Sequence, residues 1–407
     1  MTHAGGSDSL MDRIVASPAF ARAVTTLAAE HEQTVADIIE LTEIPAPSRQ
    51  EAKRAAAFEA KLRAHGLEDV EQDVMGNVLG RRRGTGNGAV FMLAAHLDTV
   101  FPAETEIKVR QEGTRLLAPG IGDDTRSLAM QLALLRAMDQ AGIRTRSDIV
   151  FVGNVGEETD LRGSRYLVSE GHYAQRIGAF VTLDGADPGQ LTIQGVGARS
   201  YRLTLRGAGG HAYGRFGAPN PAFALGRIIA DFASMPVALE PKGSLNVGRI
   251  GGGTATNAIP EIVWADFEIR APDAQELDRM DETFKAIVRE AIAAETLARP
   301  GEDETLVFEL DLVEDIPGGR TDEGAEIVQH AKAALRSQGF EPELRPAITD
   351  ANSAMSVGIP AMMLSAGGSG GGAHTLDEWI DIEPTQHLRG MKAALAAILA
   401  VAGMELD

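Results

Sequence analysis

Three short apolar runs, separated by helical patterns, constrain the fold of this chain more than any other feature. They span residues 90–95, 149–155 and 179–183, and a helical pattern from about Thr125 to Gln140 lies between the first two. Strands that are apolar along their whole length are buried on both faces, and strands that alternate with helices form largely parallel sheets. We therefore predict an α/β domain whose central, mostly parallel sheet is flanked by helices.

A different pattern interrupts this α/β pattern after Gly197. Four strands with one wet face and two helices follow one another in the order β-α-β-β-α-β, at about 201–205, 221–234, 245–250, 262–270, 277–291 and 306–312. This is the order of the ferredoxin-like split unit. The α/β pattern then resumes with a helix, an apolar run at 361–364 and a C-terminal helix. We therefore predict two domains: a discontinuous α/β domain (1–198 and 318–407) and an inserted α+β domain (199–317).

The composition of the chain excludes several classes of function. The formal net charge of -20 repels polyanions, so neither nucleic acid nor an anionic membrane is an expected partner. There is no Cys, which leaves His, Asp and Glu as ligands for any transition metal. Residues 1–10 lack the apolar core of a signal peptide, and the longest late apolar stretch is too short to span a bilayer. We expect a soluble, cytoplasmic protein.

Acidic and His side chains stand where the apolar runs end or where the next element begins. These residues are His96, Asp98, Asp123, Glu157, Glu158, Asp184 and His374. Open α/β sheets place their sites at the carboxyl ends of their strands. Carboxylates and imidazoles gathered there are suitable ligands for a pair of hydrolytic metal ions.

Two pairs of these residues carry specific expectations. In extended geometry Asp98 shares a face with His96, so its carboxylate is expected to reach the second ring nitrogen of His96 and orient it. The side chains of Glu157 and Glu158 diverge, so one can bind a metal while the other addresses water. Taken singly, each motif has an ordinary alternative: a His-x-Asp triplet can lie on the surface, a Glu-Glu pair can be solvated, and an Asp can cap the next helix. The occurrence of all these motifs at strand ends together favours a metal site.

Two local patterns complete this part of the prediction. Ser48 and Glu51 form a Ser-x-x-Glu pattern, which predicts a capping box at the start of a helix that runs to about His65. The Gly-rich stretch 367–372 is not followed by Gly-Lys-Ser/Thr, so it is not a Walker loop.

At these residues the sequence resembles the co-catalytic di-zinc metallopeptidases, the family of peptidase T, glutamate carboxypeptidase, acetylornithine deacetylase, succinyl-diaminopimelate desuccinylase and aminoacylase. The resemblance runs from the His96-Leu97-Asp98-Thr99-Val100 block to His374 in the order of that family. It implies two divalent metal ions, first of all zinc, with cobalt or manganese as alternatives. His96 and Asp184 would bind one ion, and Glu158 and His374 the other. Asp123 would bridge both.

The same resemblance implies roles for the residues around these ligands. It implies a cis peptide bond between Asp123 and Asp124. It makes Glu157 the general base that takes a proton from the attacking water and returns it to the leaving nitrogen, and it makes Asp98 the carboxylate that orients His96.

The inserted domain would be a lid and dimerisation domain. His211, in Gly209-Gly210-His211-Ala212, matches a lid His that reaches the active site of the partner in dimeric members and steadies an oxyanion. Asn257 matches a polar substrate contact, and Arg270 matches an Arg that binds a substrate carboxylate. Without the resemblance, a loop His with no task and an ordinary Arg on a wet strand face would be the alternatives. We expect a homodimer that binds a small peptide or acyl-amino-acid substrate.

The residue at position 184 bears on the substrate class, and two alternative functions stay open. Asp at position 184 tends to accompany aminopeptidase and dipeptidase members, which favours small peptides over the substrates of an N-acyl-amino-acid deacylase or a glutamate carboxypeptidase. A catalytically inactive homologue that serves as a binding module is a third hypothesis, but Glu157 and all five ligand positions are intact. Thr125 and Arg126 depart from the family, since they stand where many members have Lys and Gly.

Overall fold

The computed structural model describes residues 4–239, 241–299 and 305–406, so the first three residues of the polar N-terminal segment lie outside it. The chain divides into two compact units. The main unit comprises the residues up to Gly195 and those from Gly319 onward, and the inserted unit is Val196–Gly318. The boundaries predicted from the sequence stand at 199 and 317.

The two units contain eleven α-helices in the part of the chain that the structure describes. Those of the main unit are α1 Ala4–Ala16, α2 Pro18–Ala29, α3 His31–Thr42, α4 Ala52–Ala64, α5 Arg126–Gln140, α6 Arg162–Ser169, α9 Glu326–Ser337, α10 Ala351–Ser356 and α11 Pro384–Ala402. Those of the inserted unit are α7 Pro221–Ala233 and α8 Ala274–Leu297. Among these helices, α1, α6 and α10 were not predicted from the sequence. Helices α2 and α3 follow one another directly and stay separate, because the backbone leaves helical angles at Glu30 between them.

The strands of both units are numbered in chain order. They are β1 Glu68–Gln72, β2 Val78–Arg82, β3 Val90–His96, β4 Arg110–Glu112, β5 Arg115–Leu117, β6 Ile149–Asn154, β7 Ile177–Leu183, β8 Gln190–Thr192, β9 Gln194–Gly195, β10 Gly197–Arg206, β11 Gly210–His211, β12 Ser244–Gly252, β13 Ala258–Ile259, β14 Ile262–Ala271, β15 Val307–Ile316, β16 Gly319–Arg320, β17 Glu343–Leu344, β18 Ala361–Leu364, β19 Ser369–Gly371 and β20 Trp379–Asp381.

The main unit is built on an eight-stranded sheet in the order β1-β2-β6-β3-β7-β18-β8-β17. Its four central strands, β6, β3, β7 and β18, are parallel to their neighbours within this group, which confirms the predicted α/β class. Alternate residues of β3 pack on opposite faces: Phe91 and Leu93 belong to the core with α5 and α11, and Met92 and Ala94 to the core with α6 and α10. Burial on both faces explains why the run is apolar throughout.

Two small sheets accompany the large one in the main unit. One has the order β19-β20-β5-β4, and the other pairs β16 with β9. These strands are too short to be predicted from period-two alternation. The sheet β19-β20-β5-β4 matters for the site, because the loop between β19 and β20 carries His374.

The inserted unit has the predicted β-α-β-β-α-β order. Its four-stranded sheet, β12-β14-β10-β15, is antiparallel throughout. The alternate residues Val263, Ala265, Phe267 and Ile269 of β14 are buried, and they share one core with apolar residues of α7 and α8. The separate ladder β11–β13 carries His211. Across the described parts of both units, no helix combines the length and apolar character needed to cross a membrane.

Candidate metal centre

The side chains predicted at the strand ends come together at one edge of the eight-stranded sheet. His96 is the last residue of β3, Asp184 directly follows β7, and Glu157 and Glu158 lie in the turn after β6. Because β6, β3 and β7 are parallel neighbours, their carboxyl ends lie at the same edge. Two other segments then complete the site.

The first ligand group consists of His96, Asp123 and Asp184. One ligand atom of each residue lies within 4.8 Å of the others, and His96 Nε2 is 2.9 Å from Asp123 Oδ1. Asp123 reaches this position from Ile121–Thr125, the segment before α5. Three nitrogen and oxygen donors this close together can bind one metal ion.

The second ligand group consists of Asp123, Glu158 and His374, again with ligand atoms within 4.8 Å of one another. His374 Nε2 lies 3.0 Å from Glu158 Oε2 and 3.3 Å from Asp123 Oδ2. The two groups therefore share Asp123, with Oδ1 on the side of His96 and Oδ2 on the side of His374. The side chain of His374 is 54% exposed, whereas His96 is fully buried, so solvent reaches the second group more easily.

The buried carboxylates of this site call for a positive partner. Burial, with the nearby charge of Asp123, raises the pKa of Asp184 to about 7 and the pKa of Glu158 to about 7. Glu158 Oε1 is buried and finds no hydrogen-bond partner among the described residues. An uncompensated buried carboxylate is costly, and a bound cation would neutralise it. The donor set, which contains no thiolate, fits two divalent metal ions.

Glu157 lies beside these groups and belongs to neither of them. Burial raises the pKa of its carboxyl group well above the ordinary value, and the charges of Asp184 and Asp350 add to this effect. A carboxylate with a raised pKa accepts a proton more readily near neutral pH. The structure therefore leaves Glu157 available for proton transfer next to the ligands.

Asp98 holds a turn rather than an imidazole ring. We predicted that its carboxylate would orient His96, but His96 Nδ1 lies 3.0 Å from the backbone carbonyl oxygen of Asp98 and 3.7 Å from its carboxylate. The carboxylate instead accepts the backbone N–H groups of Gly156, Glu157 and Glu158, at 2.9, 3.1 and 3.3 Å. Buried N–H groups require acceptors, and this turn presents three of them in a row. Asp98 thus positions the turn that carries Glu157 and Glu158.

The predicted capping box at Ser48 and Glu51 was wrong. Helix α4 begins at Ala52, and no side chain caps it. The hydroxyl group of Ser48 donates to Asp98 Oδ2 at 2.6 Å instead, and Glu51 accepts the backbone N–H of Arg49 at 2.8 Å. The buried carboxylate of Asp98 is a strong hydrogen-bond acceptor, and the hydroxyl group of Ser48 donates to it instead of capping α4. Ser48 therefore supports the site rather than the helix.

The segment with Asp123 and Asp124 is not a helix cap. The peptide bond between the two residues is cis, as the resemblance implies. The residue before α5 is Thr125, whose side chain makes no capping hydrogen bond. Asp124 is buried, and its Oδ2 accepts the backbone N–H of His96 at 3.0 Å. Asp124 therefore fixes the end of β3, which carries the first ligand.

Glu378 is a site residue that the sequence did not reveal. Its buried carboxylate accepts the backbone N–H groups of Gly120, Gly122 and Asp123, at 2.7, 2.7 and 2.8 Å. Burial raises its pKa to about 7, although these three hydrogen bonds favour the charged form. In the sequence, an Asp-Glu pair after His374 carries no signal, because the contact joins segments far apart in the chain. Glu378 holds the segment that supplies the shared ligand.

Replacing Glu378 by Gln should weaken the metal centre. The amide keeps the shape of the side chain but has one oxygen, so its NH₂ group would face at least one of the three N–H donors. A buried donor left unpaired costs about 1–3 kcal/mol, and losing a residue that orients ligands lowers metal affinity roughly 10- to 100-fold. A competition titration with Zn²⁺ measures this loss. The exposed neighbour Asp377 provides the control, since Asp377→Asn should leave the affinity unchanged; equal affinities in the two variants would refute the role of Glu378.

The three predicted substrate residues all lie in the inserted unit. His211 is in β11, and the backbone carbonyl of Asn257 accepts the N–H of Ala212 at 2.8 Å, so the structure brings His211 and Asn257 together. His211 is exposed. Arg270 lies in β14, where its guanidinium group donates to Glu268 at 2.9 Å. The guanidinium group of Arg270 is thus paired with a carboxylate of this chain, and its predicted role in binding a substrate carboxylate stays a prediction.

The chain is similar to proteins of known family and structure. A family model described as Peptidase family M20/M25/M40 matches residues 92–400. The chain is 25% identical over 369 residues to the uncharacterized protein YqjE of Bacillus subtilis. This match covers 85% of this chain and 93% of that protein. The chain is 26% identical over 354 residues to a succinyl-diaminopimelate desuccinylase of Corynebacterium glutamicum, with 84% and 90% covered. The crystal structure of aminopeptidase PepT from Bacillus cereus shares the fold, with a TM-score of 0.77 at 23% identity and with 91% of this chain and 99% of that chain covered.

Proposed function

The chain belongs to the peptidase family M20/M25/M40, and on that premise we propose that it hydrolyses amide bonds in small peptides, as an aminopeptidase or dipeptidase. The observation that carries this proposal is the pair of ligand groups that share Asp123 and have Glu157 beside them. Such an arrangement serves metal-assisted hydrolysis rather than binding alone.

We assign two zinc ions to this centre, with cobalt or manganese as alternatives. His96, Asp123 and Asp184 would hold one ion. Glu158 and His374 would hold the other, together with the second oxygen of Asp123. When bound, such ions supply Lewis acidity, which makes water a stronger nucleophile and polarises an amide carbonyl group.

Glu157 would act as the general base and then as the general acid. Its carboxylate would take a proton from the attacking water and pass it to the leaving nitrogen. The backbone hydrogen bond from Glu157 to Asp98 keeps this residue in place beside the ligands. Its raised pKa suits a group that must both accept and release a proton near neutral pH.

The inserted unit would supply the substrate contacts. His211 would steady the oxyanion that forms when water attacks the amide, and Asn257 would contact the substrate. A substrate carboxylate would take the place of Glu268 at the guanidinium group of Arg270, since a planar group with two donors suits either carboxylate. A homodimer formed through this unit, action of His211 across the dimer and a cytoplasmic location stay predictions. The molar mass in solution tests the first of them.

Two other functions compete with this one. The name of the desuccinylase relative favours an N-acyl-amino-acid deacylase or a glutamate-carboxypeptidase-like amidohydrolase with the same centre. Asp184, in place of the Glu that such members tend to have, supports peptides instead. An inactive homologue that serves as a binding module is disfavoured, because the five ligand positions and Glu157 are all present and close together.

The rate on a free dipeptide, compared with the rate on its N-acetylated counterpart, separates the two enzymatic functions. With Zn²⁺-loaded protein we expect the free dipeptide to be preferred about 10-fold or more in kcat/KM, because hydrogen bonds to a charged group contribute about 1.5–3 kcal/mol. Protein carrying Glu157→Gln, prepared in parallel, measures the background from contaminating peptidases. Preference for the acetylated compound would establish the deacylase instead, and inactivity on both, with two metal ions bound, would favour the binding module.

A further inference from the structure

Arg126, the first residue of α5, is a buried arginine at the metal centre. Its residue surface is 1% exposed. Its Nη2 donates to the backbone carbonyl oxygen of Gly185 at 2.9 Å, and its Nη1 donates to that of Ser369 at 3.2 Å. A single guanidinium group therefore bridges two backbone segments that are far apart in the sequence.

Each of these segments carries a metal ligand. Gly185 directly follows Asp184 of the first ligand group. Ser369 begins β19, the strand before the loop with His374 of the second group. The contacts of Arg126 therefore join a ligand segment of one group to a ligand segment of the other.

A glycine of the Gly-rich stretch packs against this guanidinium group. Gly368 lies against it, and a Cβ atom there would come within 3.3 Å of Nη1. Gly368 also has φ of +73°, which favours glycine. Part of the Gly-rich stretch thus lets the chain pass close to Arg126, where a side chain would make a tight contact with the guanidinium group.

The charges around Arg126 keep it able to donate. Burial lowers its pKa to about 10, and the carboxylates of Asp124, Glu378 and Asp184 oppose this effect. The group is therefore protonated at neutral pH. Its hydrogen bonds nevertheless go to carbonyl oxygens, so it fixes backbone positions as well as offsetting negative charge.

From this geometry, and resting on the metal centre proposed above, we propose that Arg126 is a positioning residue that sets the spacing of the two ligand groups. The planar guanidinium group holds the two carbonyl groups with two different nitrogens, Nη1 and Nη2, at fixed positions in one fork. A Lys at this position would keep the charge without spanning both acceptors.

Metal binding by Arg126→Lys and Arg126→Met tests this proposal. We expect both variants to bind Zn²⁺ about 10- to 100-fold more weakly in competition with a chelator, as when other residues that orient ligands are lost. The visible absorption of Co²⁺ titrated into each variant should also differ from that of the unaltered protein. Arg136→Met is the matched control, because Arg136 is an arginine on the same helix whose side chain is 9% exposed and whose ion pairs are with Glu30 and Asp37. That control should lower the melting temperature and leave metal affinity and the Co²⁺ spectrum unchanged.

Each other outcome has a defined meaning. Affinity restored by Lys, or increased by Met, would show that Arg126 acts through its charge alone and would overturn the proposal, as would unchanged affinity in both variants. Should neither variant fold, Arg126→Gln decides, because its neutral amide can donate to one of the two carbonyl groups but is too short to span both; weaker Zn²⁺ binding supports the proposal and unchanged binding overturns it. Failure of the unaltered protein to bind two metal ions would refute the metal centre itself, and so is distinguishable from these results.

Discussion

Asp123→Ala should remove both metal ions from the protein and lower kcat/KM about 10³-fold or more. The reason is that losing metal assistance raises the activation free energy by several kcal/mol. Asp123 is the residue that the two ligand groups share, with Oδ1 2.9 Å from His96 and Oδ2 3.3 Å from His374. Its loss leaves two protein ligands in each group. Metal content after gel filtration, measured by elemental analysis, checks the expectation.

The variants around Asp123 separate the loss of charge from the loss of contact. Asp123→Asn keeps an oxygen in the site but has no negative charge, and we expect metal binding intermediate between that of Asp123→Ala and that of the unaltered protein. Asp377→Ala removes an exposed carboxylate close in sequence to His374 and should retain both ions. Two metal ions retained by Asp123→Ala would contradict the shared-ligand assignment.

Glu157→Gln should lower kcat about 10²- to 10⁴-fold, the range that general acid–base catalysis contributes. The amide has the shape of the carboxylate but cannot accept the proton of the attacking water. Metal content should stay at two ions, because Glu157 belongs to neither ligand group. Single-turnover rates on the preferred dipeptide, together with elemental analysis of the same sample, check both parts.

The neighbouring residue supplies the comparison for this prediction. Glu158→Gln has the same change one position later, but Glu158 lies 3.0 Å from His374 within the second group. That variant should lose metal as well as activity. If Glu157→Gln lost its metal ions and Glu158→Gln kept them, the assignments of base and ligand would have to be exchanged.

The parts of the site that the sequence predicts are those governed by local pattern. His96, Asp184 and the Glu157–Glu158 pair stand at the ends of runs that are apolar because both faces of the central strands are buried. A parallel sheet brings such ends to one edge, so position in the sequence was enough to gather them. The order of helices and strands in the inserted unit likewise follows from the spacing of apolar residues along the sequence.

The parts that the sequence does not predict depend on hydrogen bonds between distant segments. Glu378 binds the segment before Asp123, and Ser48 binds Asp98, yet neither pairing leaves a periodic signal. The orientation of the Asp98 carboxylate was predicted from strand geometry, but the three N–H groups of the next turn compete for it and prevail. The short strands of the sheet with β19 and β20 owe their form to pairing rather than to their own composition.

The order of strands in the large sheet has a consequence for synthesis. β18 lies between β7 and β8 and pairs with both, although β7 and β8 precede the inserted unit and β18 follows it. When translation has passed Gly318, the inserted unit can fold, but β7 and β8 still lack the strand that joins them. Unpaired strand edges can pair with other chains and aggregate. The nascent main unit is therefore prone to aggregation until the last quarter of the chain has been synthesised.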